Sequence, residues 1–400
     1  MSDCPALPSE IWAHVFAFTV FRPDDGGDLW IPDPSIHNAP LLLCRVSRQW
    51  RDIALQSSEL WTSLGLDVTE LTLADGVLDG AQRWLARSQD RPLQLSLWND
   101  GASLAVGNSF VERILAKHLH HVETLMIRMS GGGWPLSPDG EPSRWISPPA
   151  LNELPLLKAV DLRFKVKDYV IWTQPIFRAR LPALRRLDMA DYTMMTDVYL
   201  PLEGNLKHIT HLDIATNNYQ YWIFWILEQC PHLVYCRLNF RMRLPFEPRE
   251  HASSRPLVLP HLRTLILYVK RITYWRDVFA VSTFSALEEL KVFGAIWPLP
   301  SFIPFLLRSQ CRLRALGIEN ASISETELIP ILRALSQNLE SLSLNPEYSS
   351  QPPFERLPVG DTLVHALDPR HSTDSSSVLL PRLSRIEIDG RFAGKPPWTD

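Results

Sequence analysis

PHLRTLIL occupies residues 260–267, SALEELKV 285–292, CRLRALGI 311–318 and QNLESLSL 337–344. Each is a version of one frame, P-x-L-x-x-L-x-L, and the frame recurs on both sides. PLLKAVDL (155–162), PALRRLDM (182–189) and PHLVYCRL (231–238) precede these four, and PRLSRIEI (381–388) follows. HHVETLMI (120–127) and KHITHLDI (207–214) are looser copies. The middle apolar positions are Leu125, Val160, Leu187, Leu212, Cys236, Leu265, Leu290, Leu316, Leu342 and Ile386. From Val160 to Leu342 they are spaced 24 to 29 residues apart. The first interval (35) and the last (44) are longer, and each holds a loop-like insertion: GGGWPLSPDGEPSRWISPP within 131–149, and a Pro- and Ser-rich stretch from about 346 to 377.

The connecting segments repeat as well. IPFLLRSQ begins at Ile303 and IPILRALSQ at Ile329, so Pro304 and Pro330 are 26 residues apart, the same as Leu316 and Leu342. Proline suits a first helical turn, so each is expected to open a short helix, with Ile331, Leu332 and Leu335 on one face of the second. YWIFWILEQC (221–230) sits at a matching offset before Cys236. The unit is therefore a strand of about three to five residues, a turn and a helix. One such unit cannot bury its apolar side alone, whereas stacked units share a continuous core and a parallel sheet. The pattern resembles the leucine-rich-repeat family over roughly 90–390, with RPLQLSLW (91–98) as a weaker early copy. The resemblance implies a solenoid. The family's usual Asn after the strand is present at Asn217 and missing from most copies.

The N-terminal residues follow another pattern. In LPSEIWAHVFAF (7–18), Pro8 and Ser9 supply a helix start, and Ile11, Trp12, Val15, Phe16 and Phe18 cover an arc of roughly 160°. In PLLLCRVSRQWRDIAL (40–55), Pro40 is expected to open a helix with Leu42, Leu43, Val46, Trp50, Ile53 and Ala54 on one face and Arg45, Arg48 and Asp52 opposite. ELWTSL (59–64) follows. So small a module has too little interior for this much aromatic surface. Some of that surface should meet the solenoid or another protein.

The order and residue types of these three segments resemble the F-box motif. The resemblance implies that the module docks on the Skp-type adaptor of a Skp–cullin–F-box ubiquitin ligase. The matching positions are Leu7, Pro8, Ile11, Val15 and Phe16, then Leu41, Leu43, Cys44, Val46, Ser47, Trp50, Leu60 and Trp61. The link at 21–39 is longer than the family's usual connection, a tolerable insertion because closure entropy grows slowly with length. The other reading of the same residues is a helical cap on the solenoid. The expected organisation is an F-box-like helical domain over 1–65, a connecting helix over 66–90 with Ala81, Trp84 and Leu85 inward, and the solenoid over 91–400. The fold class is α/β: a leucine-rich-repeat solenoid of parallel sheet and outer helices, preceded by a small α-helical module.

Bulk properties narrow the function. The 400 residues are 46% hydrophobic and 21% charged, with a net charge of −4. That balance lacks the clustered cations of a nucleic-acid binder. The five cysteines are scattered, as reduced thiols would be, and none has zinc-site spacing. MSDCPALPSEIW does not read as a secretory signal, and WIFWIL (222–227) is too short to span a bilayer, so cytoplasm or nucleus is expected. His118, His120 and His121 read as a solvated helix end, DDGGD (24–28) as a turn, and Gly131–Gly133 lack the Lys of a phosphate loop. No spacing marks a catalytic triad, and no cofactor, metal or enzymatic activity is expected.

On a strand, residues between the buried positions face outward. The central outward column reads Met126, Asp161, Asp188, Asp213, Arg237, Ile266, Lys291, Gly317, Ser343 and Glu387. Asp161, Asp188, Asp213, Arg237 and Lys291 are the candidate client contacts. The three aspartates form an acidic stripe that either receives a basic client segment or is compensated internally by Arg163, Arg186 and Arg237. The expected function is the client-binding subunit of the ligase, with the client unknown. The alternative is a repeat scaffold outside ubiquitin transfer.

Overall fold

A computed structural model describes residues 7–20, 34–67, 75–99, 116–129, 153–164, 179–191, 204–216, 220–240, 256–269, 279–294, 299–319, 323–345, 361–367 and 379–388. The insertion at 131–149, the acidic turn at 24–28 and Asn217 lie outside them. The chain divides into two compact units, Met1–Asn205 and Leu206–Asp400.

The first unit opens with three helices: α1 (Ser9–Val20), α2 (Leu43–Val46) and α3 (Arg48–Gln56). The helix expected over 40–55 is broken at Ser47, whose backbone is extended (φ −155°, ψ 168°) and whose hydroxyl accepts from the Trp50 N–H, capping α3. The cap satisfies a donor that a continuous helix would satisfy through its own backbone. The break turns Leu42 and Val46 to solvent, and Pro40 lies ahead of α2 in a turn and does not open it.

Five parallel strands follow: β1 (Ser63–Asp67), β2 (Leu93–Asn99), β3 (Val122–Met129), β4 (Ala159–Phe164) and β5 (Arg186–Asp191), paired in sequence order. The sheet thus starts at Ser63, ahead of the stretch expected as a connecting helix. α4 (Asp75–Arg87) crosses from β1 to β2 with Ala81, Trp84 and Leu85 buried.

Among its described residues, the second unit's main sheet holds seven parallel strands: β6 (His211–Thr216), β7 (Tyr235–Phe240), β8 (Thr264–Val269), β9 (Glu289–Gly294), β10 (Ala315–Glu319), β11 (Ser341–Asn345) and β12 (Arg385–Ile388). Leu257–Val258 and Ser282–Thr283 pair in a separate two-stranded parallel sheet. The crossover helices are α5 (Gln220–Glu228), α6 (Leu299–Ser309), α7 (Glu325–Leu335) and α8 (Asp361–Leu367). α8 lies inside the insertion expected to be loop-like. Pro304 and Pro330 sit inside α6 and α7, not at their starts. α7 begins instead at a capping box of Ser324 and Glu327. Both prolines are on the exposed side, where water can solvate the carbonyl that each leaves without a donor.

The repeated frame maps onto this register. Leu64, Leu95, Leu125, Val160 and Leu187 are successive partners in the first unit. In the second, Leu212, Cys236, Leu265, Leu290, Leu316, Leu342 and Ile386 form the same row. All but Ile386, on the terminal strand, are buried. The first leucine-type residue of the frame forms a second buried column in each unit, Leu157 and Leu184 in the first, and Ile209, Leu233, Leu262, Leu287, Leu313 and Leu339 in the second.

The proline of the frame has a local cause. The N–H of Leu157, Leu184, Leu233, Leu262 and Leu383 each donates to the carbonyl three residues back, at 3.2–3.3 Å. The proline of each copy therefore stands second in a β-turn, where its fixed φ fits. The turn reverses the chain just ahead of the strand. Within each unit, side chains clip one repeat to the next: Asn205 Oδ1 accepts from the Leu181 N–H at 2.9 Å, and Ser309 Oγ accepts from the Phe284 N–H at 3.1 Å.

Candidate functional sites: a helical face and two open sheet faces

α1 is apolar on two sides. Trp12, Phe16 and Val20 recur every four residues and face inward. Phe16 packs on Trp12 and Trp50 with ring centroids 5.8 and 4.9 Å away, and Trp12 meets Trp50 at 5.1 Å. The other stripe is Leu7, Ile11, Val15 and Phe18, exposed at 45%, 45%, 43% and 81%. Pro8 beside it is exposed, and Leu42 and Val46 add exposed apolar surface. Apolar residues every three or four positions along one helix side are normally covered. Here nothing among the described residues covers them.

The thirteen positions carried by the F-box resemblance divide accordingly. Leu7, Pro8, Ile11, Val15 and Val46 are exposed, while Leu41, Cys44 and Trp50 are half-buried. Ser47 is exposed and caps α3. Phe16, Leu43, Leu60 and Trp61 lie in the unit's own interior and cannot touch another protein without unfolding. Trp61 donates its indole N–H to the Ala54 carbonyl at 2.8 Å, meets Trp84 edge-on at 4.8 Å and lies under the Arg87 guanidinium at 4.6 Å. It joins α3, α4 and β1. Burial pushes the Cys44 thiol up, against the pull of Arg87 and Arg51.

The open face of the first unit's sheet carries Asp161 and Asp188. Asp161 is 1% exposed and lies between Arg163, whose Nε is 3.0 Å away, and Arg128 at 3.4 Å. Asp188 is also buried and is held by Arg186 at 2.8 Å. In the second unit Asp213 accepts from Arg237 Nε at 2.7 Å, and this bond raises the guanidinium's pKa. Lys291 Nζ is 2.8 Å from Glu289. Each aspartate of the stripe is thus tied to an arginine, and the carboxylates offer little charge to an incoming cation. A buried carboxylate persists only with such partners. Asp161→Asn should lower the unfolding free energy by about 1–3 kcal/mol, moderated because both arginines are partly hydrated. Urea titration of the full chain measures it, and a loss below ~0.5 kcal/mol would contradict the pairing.

Among the described residues no group of three His, Cys, Asp or Glu side chains is placed to hold a metal ion. The His120 and His121 rings lie 3.7 Å apart, tilted at 46°, and burial together with its two neighbouring histidines lowers the pKa of His118. Cys230 and Cys236 are buried free thiols, and burial pushes Cys230 up to about 12, so neither is poised as a thiolate nucleophile. No helix among the described residues is long and apolar enough to cross a membrane. No protein-family model matches the chain. No curated protein matches it either.

Proposed function

We propose that the chain is the client-binding subunit of a Skp–cullin–F-box ubiquitin ligase, in the cytoplasm or nucleus. α1 and its neighbours dock on the Skp-type adaptor, and the repeat strands hold a client protein. The uncovered Leu7–Ile11–Val15–Phe18 stripe carries this reading. Tethering supplies the rate enhancement by raising the client's effective concentration at the ligase, with no chemistry by this chain. A stable adaptor contact buries on the order of 1,200–2,000 Å² in total, more than one stripe provides. Val46 and Leu42 extend the face.

A second reading, a repeat scaffold with the helices as its cap, draws on the Trp61 contacts that lock the module to the first repeat. A cap, however, presents a polar outer side, and the outer side of α1 is apolar. The test is affinity capture with the full chain. A Skp-type adaptor and cullin should co-purify with it, and Leu7→Ala with Pro8→Ala should abolish that capture while the thermal transition is unchanged. Capture that survives the double substitution, or no adaptor captured by the wild type, would favour the scaffold.

A further inference from the structure

We infer that the open sheet face of the second unit binds a short, extended, uncharged segment of a partner protein through an apolar diagonal, Tyr235–Ile266–Phe293. The inference rests on the binding-subunit reading for its biological setting, and it stands on the geometry of this face alone.

The register places the diagonal. Tyr235 pairs with Thr264, so Ile266 lies two residues further along the next strand. Ile266 pairs with Lys291, so Phe293 lies two further again. Residues flanking these on their strands, Cys236, Leu265, Leu267 and Val292, are buried on the other side, so the diagonal is on the open face. Both ends are aromatic and doubled. Tyr235 stacks with His211 at 5.9 Å and 22°, and Phe293 stacks with its register partner Tyr268 at 4.1 Å and 12°. Two strand spacings and four residue rises separate the ends, roughly 16 Å, the length of about five extended residues. All three diagonal residues are half-buried, which leaves their upper surfaces to solvent.

The charges on this face select the occupant. Asp213 is held by Arg237, Glu289 by Lys291, and Arg385 is paired with Glu387 at 3.1 Å. Gly317 helps to close the second pair. An added Cβ there would meet Lys291 Cγ at 2.9 Å, so the lysine stem crosses a position without a side chain and its ammonium turns back to Glu289. A basic or an acidic segment would have to break these pairs to gain its own, at little net benefit. A segment with little charge disturbs none of them and gains from the rings. Planar anchors on such stacks are the residue types that dominate interface energies. The complementary segment is therefore neutral, with aromatic or large aliphatic side chains at alternate positions facing the sheet.

The test is selection of a random peptide library on the immobilised full chain, followed by fluorescence polarisation with the selected peptides. Enriched peptides should have little net charge and two or more aromatic or large aliphatic residues at alternate positions. Their affinity should change less than about twofold between low and high salt, because the ion pairs named above already hold their charges. Tyr268→Ala with Phe293→Ala should weaken binding at least about tenfold. If that pair lowers the thermal transition, Phe293→Leu, which keeps an apolar side chain, should still weaken it several-fold. Ile11→Asp with Val15→Asp should leave peptide affinity unchanged, which separates this inference from the adaptor reading. Enrichment of Lys- and Arg-rich peptides lost at high salt, or no enrichment beyond the Tyr268/Phe293 variant, would overturn it.

Discussion

Replacing Trp61 with alanine is expected to lower the unfolding free energy of the chain by about 3–5 kcal/mol, the range for removing a large buried aromatic. The side chain is 1% exposed, and its ring contacts reach α3 through the Ala54 carbonyl and α4 through Trp84 and Arg87. Truncation opens a cavity, removes an edge-to-face ring pair worth about 0.5–1.5 kcal/mol beyond its area, and leaves a buried carbonyl without its side-chain donor. Trp61→Phe keeps most of the volume and loses the hydrogen bond, so its cost should be smaller, about 1–2 kcal/mol. Urea unfolding of both variants checks this. A cost below ~1 kcal/mol for the alanine would mean that the helices and the first repeat are independent bodies, contrary to the packing.

The second large effect concerns partner binding, with the fold untouched. Ile11→Asp with Val15→Asp is expected to abolish adaptor capture, a loss of about 3–4 kcal/mol if each residue is an anchor of about 2 kcal/mol, or more than a hundredfold in affinity. Both side chains are over 40% exposed, so stability should stay within about 0.5 kcal/mol of wild type. The same change at Phe16 would destroy the module, because Phe16 is 1% exposed between Trp12 and Trp50. Binding lost at Ile11 and Val15 with an unchanged melting curve separates a docking face from a core. Binding kept would move the contact elsewhere.

Much of the fold was legible in the frame itself. Leucines at fixed offsets, 24 to 29 residues apart, identified the strand rows residue by residue, because a parallel stack with one buried side admits one register. Helices were legible where the apolar period was 3.6, as in Ile331, Leu332 and Leu335, but their starts were not. Pro304 and Pro330 suit a first helical turn, whereas the capping box at Ser324 sets the start of α7 and leaves Pro330 on the hydrated side. Ser47 hid a break for a similar reason: a polar residue inside an apolar period reads as surface, and only its backbone angles reveal a cap. β1 leaves little mark in the sequence, because SLGLD has one short alternation and no proline frame ahead of it.

The sites were less legible than the fold. Family likeness marked thirteen positions in the module without telling inward from outward, and the structure divides them because α1 is apolar on both sides. The aspartate stripe was visible as a column of like charges, and so were the arginines beside it. Which of the two would dominate depended on burial, and Asp161 at 1% exposure with two arginines decides for internal pairing. The aromatic diagonal crosses three strands and has no signature along the chain, so it appears only once the register is known.

The most direct measurement is calorimetric titration of the full chain with a purified Skp-type adaptor at several temperatures. Binding should be saturable and one-to-one, with a negative heat-capacity change, the mark of an apolar helix face leaving water. Absence of heat and of any complex by size-exclusion, at concentrations up to about 100 times those typical of specific complexes, would contradict it.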